Sequence, residues 1–270
     1  MRLHVVEAGA GPNVVILHGL FGAARNFATL QRRLASRFRV LALDLRNHGE
    51  SPHAPGMDYA TLAADVAETL AAHNALPAAV IGHSMGGKVA MRLALAAPEA
   101  ASRLAVCDIA PIAYPSHGHR RYVAAMQALP LTPALTRAAA DAALAGAVAD
   151  AELRQFLLHS LRFGAAPAWR LGLAEIADAM PEIESWDAPA DASYAGPTLF
   201  LTGGRSDYVR AEYRPAIRAL FPHARFATLK RAGHWLHADD PEGFLAAITA
   251  FLDPILDPAT GGIKPPAPER

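Results

Sequence analysis

The stretch Gly82-His83-Ser84-Met85-Gly86-Gly87 decides how this chain of 270 residues is interpreted. It follows an apolar run at residues 79–81, which is typical of a buried strand, and it precedes a segment of helical periodicity at residues 85–97. A serine between glycines at such a strand-to-helix turn matches the G-x-S-x-G motif of a nucleophile. The glycines are needed because the turn brings the backbone and the following helix too close for a Cβ. The pattern predicts an exposed, reactive Ser84; the alternative is a glycine-rich turn with an incidental serine.

Five further short apolar runs alternate with segments of helical periodicity. The runs are residues 14–17, 40–43, 104–107, 198–201 and 226–229. Such runs are typical of strands buried on both faces, and their alternation with helices predicts an α/β fold with a mostly parallel central sheet and helices on both faces. Sheets of this kind bind ligands at the carboxyl ends of their strands. The residues that directly follow each run are therefore the candidates for a functional site.

The alternation stops between about residues 112 and 190, where helical patterns follow one another and no strand is predicted. Four helices are expected there, at residues 120–129, 133–149, 151–161 and 168–180. We therefore expect a first core segment at residues 1–112, a helical cap at residues 113–190 and a second core segment at residues 191–253. Residues 254–270 contain five prolines and are expected to form a loose, Pro-rich tail.

The composition indicates a globular protein and excludes several classes of partner. The chain is 52% hydrophobic and 19% charged, and its 25 Lys and Arg residues balance its 25 Asp and Glu residues. A neutral chain lacks the basic footprint of a nucleic-acid-binding protein. No apolar run approaches the ~18 residues of a membrane span, and no signal peptide precedes the first strand pattern, so we expect a cytoplasmic protein. The single cysteine, Cys107, excludes an internal disulfide.

A serine hydroxyl needs a base to react at neutral pH, and one of the 12 histidines is well placed to supply it. His234, within Ala232-Gly233-His234-Trp235, comes just after the last predicted strand and before the closing helix. A serine, then an acid, then a histidine is one of the known chain orders of a catalytic triad. The alternative for a single loop histidine is a solvated or structural residue.

Two backbone N–H groups are candidates for an oxyanion hole, which binds the negatively charged oxygen of a tetrahedral intermediate. One belongs to Met85, the residue after the serine. The other belongs to Leu20, in the loop His18-Gly19-Leu20-Phe21-Gly22 that follows the first buried run. The alternative for this loop is a plain glycine turn.

Together these segments resemble the α/β-hydrolase-fold serine esterases, and most closely the small bacterial esterases of the YbfF type. The resemblance includes the serine motif, the loops at 18–22 and 232–235, and two further segments. These two are Asp44-Leu45-Arg46-Asn47-His48-Gly49-Glu50-Ser51-Pro52 and Asp108-Ile109-Ala110-Pro111. The matching segments span nearly the whole chain apart from the tail. The resemblance implies the α/β-hydrolase fold and a serine esterase activity.

The acid of the predicted triad is open between two positions. The usual acid follows the strand at residues 198–201, where the segment 203–207 can be read in two registers because it begins with two glycines. In one register the acid is Asp207; in the other, Ser206 takes the acid's place. The resemblance implies the second register, with the carboxylate supplied by Asp108 one strand earlier and Ser206 as a helper that hydrogen-bonds the histidine. We favour Asp108 and keep Asp207 as the alternative.

Several other polar residues have a structural alternative to a functional role. Arg46 and His48 lie either at a pocket rim or, as we favour, in a tight turn that is held by an Arg–Asp pair. His83 is expected to pack rather than to react. His117 and His119 are two residues apart and could bind a metal, but no third ligand accompanies them, so a solvated loop is expected.

The predicted cap supplies the expected wall of a substrate pocket. Its large apolar side chains are Leu157, Leu158, Leu161, Phe163, Trp169 and Trp186. Most of them are expected to pack the cap onto the core, and those that face the cleft would favour acyl chains over charged substrates.

The sequence therefore predicts a serine carboxylesterase that hydrolyses short- to medium-chain acyl esters, or thioesters, through an acyl-enzyme. No metal or organic cofactor is expected. The expected partner is the small-molecule substrate, and the oligomeric state, monomer or dimer, is left open. The alternatives are a C–C bond hydrolase or lyase on the same triad and a ligand-binding receptor with vestigial hydrolysis. An esterase turns over repeatedly, whereas a receptor would stall after its first cycle.

Overall fold

A computed structural model describes residues 1–114 and 118–253 of the chain. Its strands are β1 (Val5–Ala8), β2 (Asn13–Leu17), β3 (Arg39–Leu43), β4 (Ala78–His83), β5 (Ala101–Cys107), β6 (Leu161–Arg162), β7 (Ala168–Trp169), β8 (Thr198–Gly203) and β9 (Ala224–Leu229). Seven of these strands form one sheet in the order β1-β3-β2-β4-β5-β8-β9. All neighbours in this sheet are parallel except β1, which runs antiparallel to β3 at one edge. The predicted fold class is confirmed, and each of the six predicted strands overlaps a strand of the sheet.

Helices pack on both faces of the sheet, and further helices follow β5 in the chain. They are α1 (Ala28–Leu34), α2 (Tyr59–Ala72), α3 (Met85–Ala96), α4 (His119–Ala128), α5 (Arg137–Leu144), α6 (Ala151–Leu158), α7 (Leu173–Asp178), α8 (Met180–Glu184), α9 (Arg214–Leu220), α10 (Leu236–Asp239) and α11 (Pro241–Leu252). Side chains alternate between the two faces of a strand, so β2 sends Val14 and Ile16 to one core and Val15 and Leu17 to the other. The first core packs against α1, α10 and α11, and the second packs against α2, α3 and α9.

Between β5 and β8 the chain forms α4 to α8 and the antiparallel pair β6–β7; we call these elements the insert. The strand pair corrects the prediction that this region holds no strand. Each of its strands has two residues, which is too short for an alternating pattern to show in the sequence. The pair is fixed to α4 because the Trp169 indole N–H donates to the Met126 carbonyl at 3.0 Å. The single helix expected at residues 168–180 is also wrong, since β7, α7 and the start of α8 occupy it.

Some expectations about the whole chain remain untested. The division into two core segments and a cap stays a prediction. The tail at residues 254–270 and His117 lie outside the described residues. Within residues 1–114 and 118–253, no helix is both long enough and apolar enough to cross a membrane.

The topology brings the predicted site residues to one edge of the sheet. The carboxyl ends of parallel strands lie at the same edge, and β2, β4, β5, β8 and β9 are each followed by at least one predicted site residue. In that order the residues are Leu20, Ser84, Asp108, Ser206 and His234.

Candidate active site

Ser84 occupies a strained turn between β4 and α3. Its φ of 52° and ψ of −121° lie outside the regions that residues with a Cβ usually adopt. The turn is tight: a Cβ on Gly82 would lie 2.2 Å from the Gly86 carbonyl oxygen, and a Cβ on Gly86 would lie 2.4 Å from the His18 carbonyl oxygen. Both glycines are therefore required for the chain to turn and to leave the Ser84 hydroxyl at the helix N-terminus, as the motif predicts.

His234 links the serine to a carboxylate. Its Nε2 lies 3.0 Å from Ser84 Oγ, and its Nδ1 lies 2.8 Å from Asp108 Oδ2. Because the carboxylate is an acceptor, Nδ1 carries the proton in the neutral ring and Nε2 is free to accept the serine proton. The structure thus brings together the three residues that the sequence analysis favoured, in the geometry of a Ser-His-Asp triad.

The Asp108 side chain is fully buried and its oxygens are occupied by donors. Oδ1 accepts from the Gly203 backbone N–H at 2.9 Å, and Oδ2 accepts from the Ser206 hydroxyl as well as from His234. Hydrogen bonds of this kind stabilise a carboxylate that would otherwise be costly to bury. Asp108 also adopts a left-handed φ of 53°, which directs the chain out of β5.

The turn after β8 uses the register in which Ser206, not Asp207, faces the site. The Ser206 N–H donates to the Gly203 carbonyl at 3.2 Å. Its hydroxyl donates to Asp108 and not to the histidine, which corrects the hydrogen bond that the resemblance implied. Asp207 is exposed, and within the described part of the chain the carboxylate on His234 is that of Asp108.

The loop that carries His234 crosses the end of β8 to reach Asp108. This approach depends on Gly203, where a Cβ would lie 2.1 Å from the Gly233 carbonyl oxygen. Two further contacts hold the loop: the His83 Nε2–H donates to the His234 carbonyl at 2.8 Å, and the Tyr208 ring stacks on the His234 ring at 3.9 Å between centroids. His83 therefore packs and supports, as expected, whereas the stacking of Tyr208 was not predicted.

The backbone N–H groups of Leu20 and Met85 are free to bind an oxyanion. Both residues line the cavity next to Ser84, and no acceptor in the described residues takes either N–H. His48 is buried and supports the Leu20 loop: its Nε2 accepts from the Phe21 N–H at 3.1 Å. Its Nδ1–H donates to the Arg46 carbonyl at 2.8 Å. Burial lowers the pKa of His48 to about 3, so the ring stays neutral and can accept.

Arg46 has the structural role that the sequence analysis favoured. Its guanidinium makes two hydrogen bonds with the buried Asp65 carboxylate, at 2.7 and 2.9 Å. Asp65 lies on α2, whereas the carboxylate of Asp44 is in the turn itself and accepts from the Ala24 N–H at 2.7 Å and the Glu50 N–H at 2.9 Å. These contacts hold the turn after β3 beneath the Leu20 loop and away from the reacting atoms.

Above the serine lies a cavity of about 400 Å³. The insert contributes to its wall, but through other side chains than those expected. None of the six large apolar residues named from the sequence lines it; among them Leu157 and Leu158 are wholly buried in the core. The lining residues from the insert include Tyr122, Leu153, Phe156 and Ile183. The sequence could not separate these from the packing residues because a short amphipathic helix has apolar positions on more than one side.

His119 begins α4 and lines the cavity. Its partner in the weak metal hypothesis, His117, lies outside the described residues. In the described ranges no group of three or more His, Cys, Asp or Glu residues is placed to hold a metal ion.

Comparison with known proteins identifies the family. The chain matches the α/β-hydrolase fold family over residues 12–241. It is 41% identical over 249 residues to the sn-1-specific diacylglycerol lipase ABHD11 of Mus musculus, covering 89% of this chain and 81% of that protein. It is 38% identical over 241 residues to esterase YbfF of Escherichia coli strain K12, and the match covers 89% of this chain and 92% of that protein. A solved structure of a marine microorganism esterase matches with a TM-score of 0.90 and 34% identity over 93% of this chain and 99% of that chain.

The chain therefore belongs to the α/β-hydrolase fold family, and its class is that of the carboxylic-ester hydrolases. The resemblance to YbfF-type esterases and the predicted enzyme class are confirmed.

Proposed function

We propose that this protein is a serine carboxylesterase in which Ser84 is the nucleophile, His234 the base and Asp108 the acid. The observation that carries the proposal is the continuous hydrogen-bonded line from Ser84 Oγ through His234 to the buried Asp108 carboxylate, which opens into a cavity. Ser206 acts as a helper, because its hydroxyl donates to the same carboxylate oxygen as the His234 ring.

The reaction proceeds in two halves. Ser84 attacks the ester carbonyl while His234 takes its proton, and the negative oxygen that forms is bound by the N–H groups of Leu20 and Met85. The alcohol leaves with the proton returned by His234, and the acyl group stays on Ser84. Water, deprotonated by the same histidine, then attacks the acyl-enzyme and frees the acid. Asp108 orients the ring and stabilises the imidazolium in both halves.

Short- to medium-chain acyl esters are the proposed substrates. A cavity of about 400 Å³ is within the usual size range of small-molecule sites. The mouse relative is named as a diacylglycerol lipase and the bacterial relative as an esterase, which supports an ester as the scissile group. A thioester would react by the same route. The cytoplasmic location stays a prediction.

Substitution of the nucleophile tests the proposal. We expect Ser84→Ala to keep the fold but lower the turnover of a p-nitrophenyl acyl ester by several orders of magnitude, since no other group forms the acyl-enzyme. A serine-directed phosphonate should label the unmodified protein at Ser84, as located by peptide mass analysis. The matched control is Ser36→Ala, because Ser36 is exposed and, among the described residues, its hydroxyl donates only to the local Arg33 carbonyl, at 3.0 Å. Substantial activity in folded Ser84→Ala protein, or a single turnover without repetition in the unmodified protein, would contradict an esterase.

A further inference from the structure

A buried lysine lies one helical turn beyond the nucleophile. Lys88 is on α3, and its backbone N–H donates to the Ser84 carbonyl at 3.2 Å. Its side chain is only 2% exposed, yet it forms part of the wall of the cavity above Ser84. Lysine is rarely buried to this extent unless its charge has a partner.

Within residues 1–114 and 118–253, the surroundings of the Lys88 ammonium hold no anion for its charge. Its Nζ donates to the Ser185 carbonyl at 2.6 Å and lies 5.2 and 5.0 Å from the ring centroids of Tyr59 and Tyr114. An ammonium has three donors, and one neutral carbonyl and two ring faces satisfy it only in part. Among the described carboxylates, none forms an ion pair with Lys88. Burial lowers the pKa of Lys88 to about 7.

Holding the insert in place does not require this charge. Three consecutive backbone carbonyls at the end of α8, those of residues 183–185, accept hydrogen bonds from residues outside the insert. The donors to the first two carbonyls are neutral. The Tyr59 hydroxyl donates to the Ile183 carbonyl at 2.6 Å, and the Tyr114 backbone N–H donates to the Glu184 carbonyl at 2.8 Å. A buried ammonium at the third carbonyl costs more free energy than a neutral donor would. A perturbed, buried titratable group in a cleft is more typical of a ligand-binding position.

The neighbours of Lys88 mark the closed end of the cavity. Tyr59 and Ile183 also line it and are 1% and 7% exposed. Other lining residues, such as Glu152 and Asp239, are exposed and mark its open end. During hydrolysis the alcohol must leave while the acyl group remains on Ser84. The open end is therefore the exit for the alcohol, and the closed end is left for the acyl chain.

We propose that Lys88 binds a carboxylate at the far end of the acyl chain, so that the preferred substrates are esters of short dicarboxylic acids. This proposal rests on the proposed function and specifies its substrate class. The position of Lys88 one helical turn from Ser84 suits a chain of a few carbons. It also revises the expected preference for uncharged chains, because the apolar residues on which that expectation depended do not line the cavity.

Paired substrates test the proposal. The monoethyl esters of succinic, glutaric and adipic acid are compared with ethyl esters whose acyl chains have equal length and end in a methyl group, and ethanol release gives kcat/KM for each. The measured quantity is the ratio of kcat/KM for the carboxylate ester to that for its neutral partner. For the best chain length we expect Lys88→Met to lower this ratio about 10- to 100-fold, the usual effect of losing a hydrogen bond to a charged group.

The matched control is Ser160→Ala, which lies between α6 and β6 outside the cavity wall and removes a buried hydrogen bond to the Phe21 carbonyl, at 3.0 Å, but no charge. We expect it to leave the ratio as in the unmodified protein. If Lys88→Met leaves the ratio unchanged, or if both variants lower it equally, the proposal is wrong and Lys88 only holds the insert.

The unmodified protein gives a second test, which does not depend on the folding of a variant. If it prefers the neutral ester at every chain length, the carboxylate site is excluded. In that case Ser84-dependent turnover of the neutral esters would still support the proposed esterase function. If neither series is turned over at all, the esterase function itself fails.

Discussion

The turns after β5 and β8 lie side by side at the carboxyl edge of the sheet, and each contains an aspartate. Asp108, after β5, is 1% exposed and has donors on both oxygens. Asp207, after β8, is exposed to solvent. Only Asp108 of these two aspartates contacts His234, although the two residues follow neighbouring strands.

The two turns meet at one oxygen of Asp108. The Ser206 hydroxyl and the His234 ring donate to the same oxygen of Asp108, so the turn after β8 reaches the place where a carboxylate is needed. A carboxylate that enters from either turn would meet the histidine at nearly the same point. We therefore expect that the carboxylate can be moved from one turn to the other while the histidine loop stays in place.

The largest expected effect is that of Asp108→Asn. We expect kcat for a neutral acyl ester to fall by about 10⁴-fold, because an amide at Nδ1 favours the wrong tautomer of the histidine and cannot stabilise its charged form. The matched control is Asp207→Asn, which removes an exposed carboxylate and should change kcat less than about twofold. Steady-state kinetics of both variants, with circular dichroism to verify folding, makes the comparison. The reverse ranking would show that the acid is supplied by the turn after β8.

A smaller effect is expected when the carboxylate is moved to the other turn. In the Asp108→Asn background, we expect the second substitution Ser206→Asp to restore kcat by about 10- to 100-fold, since a charge-assisted hydrogen bond to His234 becomes possible again. The same Ser206→Asp change in the unmodified protein should lower kcat, because two carboxylates would then compete for one site. No recovery in the double variant would mean that the two turns are not interchangeable.

The smallest effect belongs to the helper. We expect Ser206→Ala to lower kcat only about 5- to 10-fold, because it removes one hydrogen bond to Asp108 and leaves the charge in place. Pre-steady-state acylation rates measure this step directly. A loss as large as that of Asp108→Asn would show that Ser206 does more than position the acid.

Much of the fold could be predicted because it depends on local patterns. The buried strands are continuous apolar runs. The turn at Ser84 is encoded by glycines at positions where any Cβ would collide with the backbone. The loops of Leu20 and His234 follow directly from such strands. Each of these signals lies within a few residues of the feature that it predicts.

Other features depend on which segments meet in space, and the sequence does not contain that information locally. The choice between Asp108 and Asp207 depends on how the His234 loop crosses β8, which Gly203 permits. Lys88 follows the serine motif directly, but its burial depends on Tyr59, Tyr114 and the end of α8, which are far apart in the chain. The pair β6–β7 is too short to produce a pattern at all.

The buried histidine beneath the Leu20 loop also makes the stability of the protein depend on proton concentration. The pKa of His48 is about 3 in the folded chain and returns to about 6.5 when unfolding exposes the ring to water. Between these values the unfolded chain binds a proton that the folded chain does not, so unfolding consumes protons. The contribution of His48 to the free energy of unfolding is therefore at its full value above about pH 6.5 and falls as the pH drops towards 3. A protonated His48 cannot accept from the Phe21 N–H, so low pH acts on the same loop that carries Leu20, the residue proposed to bind the oxyanion.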